Sequence, residues 1–137
     1  FVDTDLLLQA QCHATLQDVI DTRGVDALIA AEGEVLSCVS ARDSVIATGG
    51  SAVYSPAGMA HLAEIGTIVY LKISYESLVE RLVDLDERGV VMKEGASMSL
   101  RDLYDERAPL YERYADLVVN VDELSITAAA RRVAAAI

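Results

Sequence analysis

Asp3 and Asp5 stand two residues apart in the opening Phe1-Val2-Asp3-Thr4-Asp5. In extended backbone they project to the same side, where two carboxylates repel unless a cation or a proton lies between them. That spacing suits one carboxylate near a metal and the other as a general base. It equally suits Asp5 as the cap of a following helix. Farther along, Thr48-Gly49-Gly50-Ser51 follows an apolar run; paired glycines there let backbone N–H groups approach a ligand closely, although an ordinary turn has the same composition. Arg107 is the sharpest single residue. Leu100, Leu103, Tyr104, Leu110, Tyr111 and Tyr114 make one stripe at helical spacing, and Arg107 falls in its middle. A guanidinium turned inward needs a partner. Either it pairs with a carboxylate of this chain (Asp3, Asp5 or Glu32), or it lines a cavity for an anionic ligand, which guanidinium geometry grips by two parallel bonds. Arg88-Gly89 lies in a polar stretch, where an arginine can close over a transferred phosphate or be simply solvated.

The elements that must position these groups alternate. Phe1 to Asp3 reads as the end of a strand and Leu6 to Leu8 as the start of a short helix. Thr15 with Asp18 is a start signal for a second helix, which Gly24 stops. Leu28, Ala31, Val35, Leu36 and Val39 recur at helical spacing and predict an amphipathic helix over 25–40. Ser44 to Thr48 is a buried strand, Ser55-Pro56 starts a helix that Gly66 ends, and Thr67 to Ile73 is the strongest strand. Ser74 caps the next helix, which carries Leu78, Arg81 and Leu82. The polar, glycine-containing stretch from Asp84 to Ser97 has no clear period and reads as a mobile loop. Leu100 to Tyr114 is a helix that Pro109 should bend, Leu117 to Val121 a strand, and Ser125 the cap of a terminal helix. Strands alternating with helices imply an α/β fold, a mostly parallel sheet with helices on both faces. Ligands then bind outside the carboxyl ends of the strands, which is where the two aspartates and the paired glycines fall.

Composition narrows the classes. The 137 residues suit one compact domain. Eleven Lys and Arg against 22 Asp and Glu give a net charge of −11, a poor match for nucleic acid or an anionic membrane. Hydrophobic residues make up 53% without any run long enough to span a bilayer. Cys12 and Cys38 make no disulfide framework, and neither they nor His13 and His61 have a metal-ligand spacing. The expectation is an acidic, soluble, cytoplasmic protein, with both histidines and both cysteines structural. The chain opens without methionine, in mid-strand, as a sequence cut from something longer would.

Taken in order, Phe-Val-Asp-Thr-Asp at 1–5, Ala-Thr-Gly-Gly at 47–50, Val-Tyr-Leu at 69–71, Arg88 and Glu-Arg-Ala-Pro-Leu-Tyr at 106–111 resemble the shikimate kinases. The resemblance runs along nearly the whole chain. It implies a three-layer P-loop kinase-like fold, a cytoplasmic monomer acting in aromatic amino-acid biosynthesis, and transfer of the γ-phosphoryl of ATP, with Mg²⁺, to a hydroxyl of shikimate or a similar carboxylate-bearing acid. Carried over by position, Asp5 binds the acceptor hydroxyl and acts as base, and Asp3 stands near Mg²⁺ through water. Gly49 and Gly50 meet the acceptor by backbone, and Arg107 binds its carboxylate. Arg88 serves the transferring phosphate from a lid over 84–99, and Arg81 lies against adenine.

The chain departs from the family pattern in three places. No Gly-x-x-x-x-Gly-Lys-Ser/Thr occurs, and the only lysines are Lys72 and Lys93; the family keeps that loop on a central strand upstream of the Asp-x-Asp, so an N-terminal strand and helix are expected to be missing from these residues. Ile29 takes the place of a second substrate arginine. Ser51 takes the place of a third glycine, and Gly89 follows Arg88 where proline is usual. A catalytically inactive ligand-binding or regulatory module on the same fold is the alternative these departures raise. A response-regulator-like receiver would need a phosphoacceptor Asp after its third strand, whereas Gly49-Gly50 follows the nearest candidate here.

Overall fold

The computed structural model describes residues 1–86 and 99–137, which pack as two compact units, Phe1–Thr67 and Ile68–Ile137. In the first unit, strand β1 (Val2–Asp3) leads into helices α1 (Thr4–Cys12), α2 (Leu16–Arg23) and α3 (Val25–Cys38). Strand β2 (Ile46–Ala47), a 3-10 turn (Ala52–Tyr54) and helix α4 (Pro56–Ile65) complete it. β1 and β2 pair in parallel, Val2 opposite Ile46 and Asp3 opposite Ala47.

The caps follow the local chemistry. Thr15 and Asp18 form a reciprocal capping box at α2, Gly24 ends that helix, and Ser55 accepts from the Gly58 N–H with Pro56 in the first turn of α4. α1 starts two residues earlier than expected, and its cap is Asp3, not Asp5: the Asp3 carboxylate accepts from the Asp5 N–H at 3.0 Å. Because the chain turns helical at Thr4, the two aspartates do not share one extended strand. Asp3 closes the strand and Asp5 sits in the first turn of the helix.

The core of this unit comprises Leu8, Val19, Val35, Leu36, Val39, Ala52, Val53, Met59 and Leu62. α4 approaches α3 closely because Gly58 has no side chain; a Cβ there would lie 2.8 Å from the Leu36 Cβ. Leu36 is 0% exposed, so Leu36→Ala is expected to cost about 2–5 kcal/mol of stability through lost transfer energy and a cavity. Urea denaturation checks this: the midpoint should fall with the slope unchanged.

In the second unit, β3 (Val69–Lys72) is followed by α5 (Tyr75–Asp86), α6 (Leu100–Tyr114), β4 (Leu117–Asn120) and α7 (Ile126–Ala134). β3 and β4 pair in parallel from Val69 opposite Leu117 to Lys72 opposite Asn120. Ser99 and Asp102 form a capping box at α6. That helix is fastened to β3 by Tyr70 against Tyr111 (ring centroids 5.1 Å apart), by the Tyr104 hydroxyl donating to the Ile73 carbonyl at 2.9 Å, and by Lys72 with Glu112 at 2.6 Å.

Among the described residues the strand pairing is parallel and the strands alternate with helices, so the α/β class read from the sequence holds. Among the described residues the strands pair two and two, whereas the sequence suggested one sheet. β1 and β2 are two residues each, shorter than the apolar runs that announced them, because Asp3 already serves as a helix cap. No helix among the described residues is long and apolar enough to cross a membrane.

Candidate active site

β1 and β2 run in parallel, so their carboxyl ends deliver Asp3, Asp5 and the Gly49–Gly50 turn to one end of the pair. Asp3 is half-buried and engaged at the start of α1. Asp5, one residue into the first turn, is half-buried as well. Burial pushes its carboxyl above the ordinary 3.8, and the neighbouring Asp3 charge pushes in the same direction.

Gly49 packs against the Asp5 side chain. A Cβ on Gly49 would lie 3.2 Å from Asp5 Oδ1 and 2.7 Å from Glu32 Oε1. Both carboxylates therefore reach the same point of backbone, and only glycine leaves room for them. Gly50 is exposed beside it.

Glu32 enters the site from α3, and sequence reasoning had placed it only as a conceivable partner for Arg107. It is 4% exposed, and its Oε2 accepts from the Ser51 hydroxyl. The signal was available: Leu28, Glu32, Val35, Leu36 and Val39 share one helical face, and a carboxylate on an apolar stripe marks a site as an arginine does. Ile29, half-buried, lies along a shallow groove with Gly33, Ser37, Tyr54 and Ser55; that groove includes neither aspartate.

In the second unit Arg107 lies where the stripe placed it. Leu100, Leu103, Tyr104, Arg107, Leu110, Tyr111 and Tyr114 are half-buried on α6, whereas Arg101, Asp102, Asp105, Glu106, Glu112 and Arg113 are exposed. Arg81 on α5 donates to the carbonyls of Val121 at 2.7 Å and Leu124 at 3.3 Å, holding the segment that follows β4. That segment is also bound by Asp122, which accepts from the Ser74 N–H and hydroxyl and is held below the ordinary carboxylate range by those bonds. Arg88, and most of the lid expected over 84–99, lie outside the described residues.

Among the described residues no group of three or more His, Cys, Asp or Glu is arranged to hold a metal. Cys12 and Cys38 are free thiols, and the His61 ring donates to the Val39 carbonyl at 2.8 Å. The structure thus gathers Asp3, Asp5, Gly49 and Gly50, adds Glu32 and Ser51, and leaves Arg81 and Arg107 on a unit described by itself.

Comparison with known proteins agrees with this arrangement. The family model for shikimate kinase matches residues 1–137. The shikimate kinase of Hahella chejuensis is 36% identical over 89% of this chain, which spans 64% of that protein's length. That of Legionella pneumophila (strain Corby) is 29% identical over 97% of this chain and 77% of its own. Among solved structures, shikimate kinase from Acinetobacter baumannii in complex with shikimate superposes with a TM-score of 0.76 at 28% identity, covering 99% of this chain and 74% of its own. With strands, caps and glycine turn falling in the expected order, and a match that runs from the first residue to the last, the chain belongs to the shikimate kinase family.

Proposed function

We propose that the protein transfers the γ-phosphoryl group of ATP to a hydroxyl of shikimate or a closely related carboxylate-bearing acid. The observation that carries the reading is Asp5: a half-buried carboxylate with its pKa raised, one oxygen against the Gly49 backbone at the carboxyl end of a parallel strand pair. A carboxylate displaced upward is a stronger base than one in water. It takes the proton of the acceptor hydroxyl as that oxygen attacks phosphorus. Gly49 and Gly50 meet the acceptor through backbone, and Arg107 holds its carboxylate by two parallel bonds. Arg88 steadies the transferring phosphoryl group, and Arg81 lies against adenine while tying down the segment after β4.

Mg²⁺, when bound, neutralises charge developing on the phosphates. It is commonly held by one or two carboxylates together with phosphate oxygens and water, so the half-buried carboxylate of Asp3 fits it through water, without a cluster of protein ligands. Residues 1–137 contain no Gly-x-x-x-x-Gly-Lys-Ser/Thr, the loop whose backbone would cradle the phosphates of ATP. The reading also places a monomer in the cytoplasm, in keeping with an acidic chain carrying two free thiols.

The test is ADP release coupled to a reporter, with shikimate and a panel of related hydroxy acids. Acceptor-dependent ADP release is expected with shikimate or a close relative. No ADP release with any acceptor would leave the inactive-module alternative in its place.

A further inference from the structure

The turn that leaves β2 is tied back to α3 by a hydroxyl that would ordinarily serve its own helix. Ser55, Ser99 and Ser125 each turn their hydroxyl onto the helix they begin, accepting from a backbone N–H. Ser51 begins the 3-10 turn Ala52–Tyr54 and makes no such bond. Its hydroxyl donates to Glu32 Oε2, across 19 positions of sequence. Glu32 is a carboxylate at 4% exposure, and its other oxygen lies against Gly49 on the side that Asp5 also approaches. One buried carboxylate thus meets both the Ser51 hydroxyl and the Gly49 backbone, beside the Asp5 carboxyl.

We propose that Ser51 is a positioning residue: its hydroxyl pins Glu32, and pinned Glu32 holds the Gly49–Gly50 backbone in register with Asp5 for acceptor binding. The consequence for acceptor binding rests on the kinase reading above; the pin itself does not. Without the hydroxyl, a buried carboxylate oxygen loses a donor, and a charged group so deprived turns away or takes a proton. Gly49 has no side chain with which to fix the turn, and its carbonyl accepts from the Ala52 N–H at 3.3 Å.

Two measurements on wild type, Ser51→Ala and Ser51→Thr separate the possibilities. Amide hydrogen exchange at Gly49 and Gly50, without substrate, should be about tenfold faster in Ser51→Ala, the loss of one hydrogen bond to a charged group. The KM for shikimate should rise about tenfold with kcat within about twofold. Ser51→Thr keeps the hydroxyl and should return both readings to wild type. Unchanged exchange in Ser51→Ala overturns the proposal, whether or not KM moves, because a KM effect alone would mean direct contact with the acceptor. Failure of Ser51→Thr to restore the Gly49 and Gly50 exchange also overturns it. Faster exchange confined to Gly49 and Gly50, in a protein that turns over no shikimate, would uphold the pin while ending the kinase reading.

Discussion

Asp5→Asn is expected to lower kcat for shikimate phosphorylation by about 10²–10⁴-fold, the span typical of losing a positioned general base, with a much smaller change in KM. Asparagine keeps the size of the side chain and its place in the first turn of α1, but its amide cannot take the hydroxyl proton. The same substitution carries a stability signature. Folding raises the Asp5 pKa above 3.8, first through burial and then through Asp3, so the folded chain binds this proton more tightly than the unfolded one. Its contribution is therefore greatest below the unfolded value, declines as pH rises through the folded value, and is flat above that. A neutral asparagine carries no such penalty. The variant is expected to melt at or above the wild-type temperature at pH 7, with the gap closing as pH falls toward 3.8. Steady-state kinetics and thermal melts between about pH 3 and 8 check both halves. Lost activity with a lowered melting temperature at every pH would mean that Asp5 supports the helix and does no proton chemistry.

The parts of this fold legible in the sequence are those whose physics is local. Capping at Thr15 with Asp18, at Ser55 before Pro56 and at Ser125 depends on residues three apart or fewer, and each helix begins there. Helical periodicity placed Arg107 on the half-buried face of α6, because one charge on an apolar stripe is a local contradiction that needs no tertiary knowledge. The identical contradiction at Glu32 was equally visible on α3. Two acidic residues within three positions defeated the local rule at α1: Asp3 and Asp5 both suit a cap, and only the extended backbone at Asp3, with φ −103 and ψ 114, decides between them. Strand pairing and the Ser51 bond were out of reach for another reason. Val2 meets Ile46, and Ser51 meets Glu32, across separations that no window of propensity spans. Ser51 also stands where the family pattern has glycine, so the motif that pointed to the turn carried no word of its hydroxyl.

Arg107→Ala is expected to raise the KM for shikimate by about 10²-fold, the loss of a charge-assisted pair of hydrogen bonds at roughly 2–3 kcal/mol, while kcat changes little. α6 presents its half-buried stripe of leucines and tyrosines with Arg107 at the centre, and its remaining acids and bases are exposed, Arg101 meeting Asp105 at 3.1 Å and Lys72 meeting Glu112 at 2.6 Å. An interaction made equally in the ground and transition states lowers KM without raising kcat, which is the behaviour of a group gripping a carboxylate remote from the reacting hydroxyl. Arg107→Lys should recover only part of the loss, since an ammonium restores the charge but not the planar fork. The decisive measurement uses an acceptor analogue in which the ring carboxylate is replaced by a neutral amide. Wild type should prefer shikimate over the analogue by about the same factor that Arg107→Ala costs, and Arg107→Ala should barely distinguish the two. If the variant keeps the full preference, the carboxylate is read elsewhere and the inward guanidinium serves the packing of α6 alone.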